Sequence, residues 1–196
     1  MAFDMQNRLV LELTKKEIQM SIYDELKSDH VKVINTISEL IEVKEDTEKA
    51  RLLINQLRDQ LIPHVRAEEA VLYNSLRSLD LLKPLISHSY REHIEAETLL
   101  RTLQVKVKTH MDWHELAKKL KDALLDHINE EETVLFSEAK KTLKDEEAEQ
   151  MGVAFLKLKP EIKEEGLTAN MLELTANLMP TRFAKYMRSF NLESRI

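Results

Sequence analysis

A stretch of seventeen residues occurs twice in this 196-residue chain, the second copy at an offset of 63 from the first. Residues 57–73, LRDQLIPHVRAEEAVLY, align without a gap to residues 120–136, LKDALLDHINEEETVLF. The identities are Leu57/Leu120, Asp59/Asp122, Leu61/Leu124, His64/His127, Glu68/Glu131, Glu69/Glu132, Val71/Val134 and Leu72/Leu135. The same offset carries His30 onto His93, each preceded by an acid (Asp29, Glu92) and followed by a β-branched residue (Val31, Ile94). Each half therefore supplies one His and then a His-x-x-x-Glu. Two copies of a hairpin are too few for a solenoid, and a pseudo-two-fold bundle is the natural closure.

The repeated unit reads as helix. Apolar residues recur at spacings of three and four almost throughout. With only 2 Gly and 4 Pro, the chain lacks the corner residues that sheets with tight turns require. Four helices are predicted, over about 17–44, 46–79, 82–108 and 112–143, the second with Asp46 as N-cap. Their inner stripes are Tyr23, Leu26, His30, Val33, Ile37 and Ile41, then Ile54, Leu57, Leu61, His64, Glu68, Val71 and Leu72. Ile86, Tyr90, His93, Ala96 and Leu100 follow in the third helix. In the fourth they are Leu116, Leu120, Leu124, His127, Glu131, Val134 and Leu135. Short connections between long helices give an all-α, antiparallel up-down four-helix bundle with extra C-terminal helices. The expected division is a bundle unit over 1–143 and a helical extension over 144–196. A fifth helix is predicted from Asp145 to just before Pro160. Beyond Pro180, Phe183, Met187 and Phe190 share one face of a basic amphipathic stretch. Docking on the bundle is the main expectation for it, and a membrane surface or a redox or protein partner the other.

Residues four apart on a helix lie on one face, so His64 with Glu68, and His127 with Glu131, present an imidazole and a carboxylate side by side. Both pairs sit on the apolar stripe, where burial is costly unless something pairs with them. Any single His-x-x-x-Glu is weak, because the chain holds 35 acids and a lone core His is usually just hydrogen bonded. Two such pairs in step, with a further His pair at the same offset, are hard to attribute to coincidence. Facing hairpins would gather four imidazoles and two carboxylates at mid-bundle, and a pair of metal ions would relieve the cost. Imidazole and carboxylate also suit zinc, copper, nickel and manganese, so spacing does not name the metal.

The order His30, His64-x-x-x-Glu68, His93, His127-x-x-x-Glu131 over about residues 17–143 resembles the hemerythrin-like, HHE cation-binding domain. The resemblance implies a non-haem centre of two Fe ions with an oxo or hydroxo bridge. His30 and His64 would serve one iron and His93 and His127 the other, with Glu68 and Glu131 bridging. The oxygen carriers of that family have a fifth histidine one helical turn from the first on the third helix. Ser89 or Glu97 stands there in this chain, and His88 lies about 140° around the helix from His93. Glu97 is therefore a candidate extra ligand or an acceptor behind the ligands, its repeat counterpart Ile34 favouring the latter. Tyr23 and Tyr90 are candidate hydrogen-bond donors to a metal-bound oxygen. Two open irons suit binding or sensing of O2, NO or peroxide, or iron handling under stress, better than a saturated carrier site. Binding without turnover is the expectation.

Other classes are excluded or demoted. Zero Cys removes disulfides, thiolate zinc, iron–sulfur clusters and a thiol nucleophile. A net charge of −6 has the wrong sign for a general nucleic-acid partner. No apolar run spans a bilayer and no signal-peptide core is read, so a cytoplasmic location is expected. A ferritin-like iron oxidase wants Glu three residues before its ligand His, where this chain has Lys27, Leu61, Tyr90 and Leu124. A metal-free helical interaction module is the remaining alternative.

Overall fold

The computed structural model describes residues 20–44, 47–109 and 111–190. The start of the predicted helix 17–44 and the predicted N-cap Asp46 lie outside them. Seven helices and no strand form among the described residues. Helix α1 is Ile22–Ile41 and α2 begins as Thr47–Glu68, passes through a π-helical turn, Glu69–Tyr73, and ends at Leu76. Helix α3 is Lys83–Lys108, and α4 runs from His114 to Glu130, through a second π turn at Glu131–Leu135, to Lys140. The extension supplies α5 (Asp145–Glu165), α6 (Ala169–Ala176) and α7 (Ala184–Arg188).

Helices α1 to α4 pack in a closed ring, each against its sequence neighbour and α4 back against α1. The first boundary differs from the periodicity reading because Ser21 stops the helix there. Its hydroxyl accepts the Asp24 backbone N–H, and the Asp24 carboxylate accepts the Ser21 N–H at 3.2 Å, a capping box that satisfies two end donors. The two internal prolines do not break their helices. Pro63 lies within α2, and Pro160, predicted to follow α5, lies within it. Pro160 removes the helical donor of the Leu156 carbonyl, and Leu156 is 48% exposed, on the solvent side of the helix. Val134, predicted to face inward, is 45% exposed. It lies in the second π turn, and Leu135, Phe136 and Ala139, which follow it in the chain, are buried.

Apolar packing forms two clusters, one above and one below a polar layer. Leu26, Tyr90 and Leu135 belong to one, and Val33, Ala96 and Leu124 to the other. Between them along the same helices sit His30, His93, His127 and Glu131, all buried. The extension belongs to the first cluster. Helix α5 lies against α1 and α2, and Phe183, Met187 and Phe190 are buried there, so the amphipathic stretch docks on its own bundle. Arg182 fastens it, donating to both carboxylate oxygens of Glu147 at 2.6 Å and to the Thr142 carbonyl at 2.8 Å. No helix among the described residues is long and apolar enough to cross a membrane.

Gly152 sets how closely α5 approaches α1. A Cβ at that position would lie 2.4 Å from the Met20 carbonyl oxygen, a backbone atom that cannot swing aside. Gly152→Ala should therefore lower stability by roughly 1–3 kcal/mol despite alanine's better helix propensity. Gln150→Ala, on the exposed side of the same helix, should be neutral or slightly stabilising; urea unfolding of the two variants makes the comparison.

Candidate metal centre

All six repeat-derived residues, His30, His64, Glu68, His93, His127 and Glu131, meet in the layer between the two apolar clusters. They are almost wholly buried, Glu68 to 0% and Glu131 to 1% exposure. The His30 and His64 rings lie 5.1 Å apart and the His93 and His127 rings 4.6 Å apart, centroid to centroid. Ligand-type atoms of Glu68, His93 and His127 all fall within 4.8 Å of one another. The four imidazoles line one small cavity closed by Leu61 and Leu124.

The rings share one orientation. Each Nε2 points inward: His30 Nε2 is 3.2 Å from Glu131 Oε2, His64 and His93 Nε2 are 3.6 and 3.4 Å from Glu68 Oε2, and His127 Nε2 is 3.1 Å from that of His93. Each Nδ1 points outward to a carboxylate. His30 meets Glu132 at 2.9 Å, His64 meets Asp29 at 3.4 Å, His93 meets Glu69 at 3.0 Å and His127 meets Glu92 at 3.0 Å. An ionised carboxylate only accepts, so each Nδ1 carries a proton, and in a ring that is neutral Nε2 is then a lone pair aimed into the layer. This is the arrangement in which proteins present histidine to a metal.

The four outer carboxylates obey the internal repeat. Asp29 and Glu92 are 63 residues apart, as are Glu69 and Glu132. The first pair serves the histidines of α2 and α4, the second crosses over to those of α3 and α1. Sequence reasoning recorded all four as repeated residues without assigning them a role, because the partners lie on other helices. The π turns explain how Glu68 and Glu69, neighbours in sequence, both serve the layer. In each turn the bond runs to the fifth residue back, from the Asn74 N–H to Glu69 and from the Phe136 N–H to Glu131. Such turns are frequent at functional sites.

Electrostatics divide the two inner carboxylates. Burial pushes the Glu68 carboxyl well above its ordinary value, and the neighbouring Glu131 charge adds to this. Burial also opposes ionisation of Glu131, but Glu68 and His30 beside it outweigh that and hold it below the usual range. Burial lowers His64 to about 4 and also lowers His93, against the opposing pull of Asp29 and Glu69. Both are thus neutral, ligand-ready imidazoles near neutrality. His30 is raised, since Glu131 and Glu132 together overcome its burial.

The donor set fits a bound cation. Both oxygens of Glu68, Oε2 of Glu131 and Nε2 of His30 are buried without a hydrogen-bond partner, a cost of about 1–3 kcal/mol for each such group, and more where charged. The remaining Glu131 oxygen accepts from the Tyr73 hydroxyl at 3.0 Å. Tyr73 was missed in the sequence because its repeat counterpart is Phe136. Its ring stacks on His93 at 5.2 Å, and Tyr90 lies edge-on behind it. Tyr23 packs on Phe136 instead, its buried hydroxyl without a hydrogen-bond partner. Glu97 is held by both terminal nitrogens of Arg66, one contact at 2.8 Å, and stands outside the inner cluster.

In the metal-free chain, His64 makes stability fall with acid. Its folded value of about 4 lies under the ordinary 6.5, so between those pH values only the unfolded chain takes up that proton. Between pH 7 and 4, wild type should lose on the order of 3 kcal/mol more stability than His64→Leu. Urea melts across this range give the answer, and parallel curves would mean that His64 titrates normally.

A protein-family comparison agrees with the geometry: the model described as hemerythrin HHE cation binding domain matches residues 21–139. Among curated proteins, a DNA nickase of Nostoc sp. (strain PCC 7120) is 29% identical over 145 residues, covering 74% of this chain and 41% of that protein. The chain thus spans about two-fifths of the length of that relative.

Proposed function

Because the chain belongs to the hemerythrin HHE cation-binding domain family, we propose that it is a non-haem di-iron protein that binds or senses O2, NO or peroxide, or handles iron under stress. His30 and His64 would hold one iron, His93 and His127 the other, with Glu68 and Glu131 shared between them. The observation that carries this reading is the common orientation of the four imidazoles, Nδ1 on a carboxylate and Nε2 inward, around carboxylate oxygens that lack donors. When bound, a bridged iron pair supplies redox chemistry toward a small ligand. The chain's own groups orient and protect it. Leu61, Leu72, Leu124 and Leu135, all buried, keep bulk water from the layer. Tyr73 holds one Glu131 oxygen and so selects which oxygen stays available inward. Arg66 occupies Glu97, the nearest substitute for the missing fifth histidine, which supports a centre with room for a small ligand at both irons. A cytoplasmic setting and a binding or sensing role without turnover complete the proposal.

Elemental analysis of protein expressed with iron supplementation tests it. Two irons per chain are expected, with His64→Ala losing them together with several kcal/mol of stability. One zinc would keep the site and remove the redox role, whereas a folded chain without metal at neutral pH would sink the proposal. The nickase relative supplies a second reading, in which the same layer serves DNA strand cleavage. The chain's net charge of −6 offers no counterion-release advantage on DNA. Incubating the iron-loaded chain with supercoiled plasmid should therefore leave it intact; nicked circles that disappear with His64→Ala would favour the nickase reading.

A further inference from the structure

The two faces of the bundle carry the same outer carboxylate but neutralise it differently. On the α1/α2 face, Asp29 is flanked by two ammonium groups, Lys159 from α5 at 2.5 Å and Lys32 at 3.0 Å. On the α3/α4 face the equivalent carboxylate is Glu92, and α5 does not reach it. The repeat there replaces Lys32 by Glu95, Glu25 by His88 and Ala67 by Glu130. Among the described residues no lysine or arginine forms an ion pair with Glu92 or Glu130. His88 Nε2 instead sits between them, 3.4 Å from Glu92 Oε1 and 3.3 Å from Glu130 Oε2, neither contact a hydrogen bond. One ligand atom from each of the three residues lies within 4.8 Å of the other two, half-exposed at the bundle surface. The groove beside them adds Glu95, Asp122 and Asp126 against the single cation Lys119.

We propose that His88, Glu92 and Glu130 form a second, exchangeable site for a divalent transition-metal ion, taking the place that the Lys159 ammonium fills on the opposite face. An imidazole with two carboxylates suits Fe2+, Zn2+, Mn2+ or Co2+, and the exposure leaves water in the remaining positions. Glu92 joins the site to the interior: its other oxygen accepts from His127 Nδ1 at 3.0 Å, so an ion here is one carboxylate away from the buried histidines. The site does not depend on which metal the buried layer holds, or on its holding any.

Titration of the purified full chain with Co2+, followed by ligand-field absorption and calorimetry, tests the assignment. Wild type should take up one ion with weaker affinity than the buried layer, and the double variant His88→Ala/Glu130→Gln should bind it about tenfold or more weakly. Both side chains are partly exposed, so far-UV circular dichroism and the unfolding midpoint should match wild type. The same uptake should survive in His64→Ala, which locates the ion outside the buried layer even if that layer proves to bind nothing. Uptake that His64→Ala removes, or that the double variant leaves unchanged, would overturn the proposal. So would wild-type protein that takes up no ion beyond the buried layer.

Discussion

Six ionisable side chains buried in the middle of a helical bundle are the constraint on which this structure depends. Each charged group taken out of water there costs several kcal/mol unless neighbours replace the lost hydration. The chain meets that cost from the outside inward. Four carboxylates fix the outer nitrogens of four imidazoles, and this aims every inner nitrogen at the middle of the layer. What it leaves unmet is as informative: inner carboxylate oxygens with no donor, held in place by a rigid apolar shell above and below. A purely structural layer would gain by replacing Glu68 or Glu131 with leucine, so the retained deficit supports a role for a bound cation.

The backbone is adapted to the same end. A regular α-helix places successive residues about 100° apart, which would turn one of two consecutive glutamates away from the layer. A π turn starting at Glu69 and another at Glu131 relieve this at corresponding places in the two halves, although they begin one residue out of step with the repeat. The turns also border the apolar core, since Leu72 and Tyr73 in the first and Leu135 in the second are fully buried. The turns thus connect the site's geometry to the upper cluster on which the C-terminal extension is built.

The inner residues were readable from sequence because helical spacing and the 63-residue offset both act within single helices. His64 with Glu68 and His127 with Glu131 needed no tertiary information to be placed on one face. The outer carboxylates were visible only as identities, because Asp29 reaches His64 and Glu132 reaches His30 across helix boundaries that periodicity does not encode. Tyr73 was hidden for the opposite reason: it breaks the repeat, with Phe136 as its counterpart. The π turns carry no local composition signal. Pro160 misled because a proline on the solvent side of a long helix costs one backbone bond without ending it, and Ser21 was overlooked because Asp24 takes the capping position where Glu or Gln is usual.

Symmetry in the sequence does not survive intact in the fold. Helix α5 belongs to neither repeat and lies on one pair of helices only. It sets the Phe155 ring edge-on against His64 at 5.9 Å and the Lys159 ammonium on Asp29, whose carboxyl the His64 and Lys159 hydrogen bonds hold below its usual range despite burial. Behind His127, Glu92 is also lowered against its burial, but by imidazoles alone, His127 first. His64 and His127 are thus backed by carboxylates with different neighbours, two ammonium groups around Asp29 and an imidazole at Glu92. The extension therefore makes two positions built from one repeated motif chemically unequal. It does so through the residues behind the histidines and leaves the six inner residues unchanged.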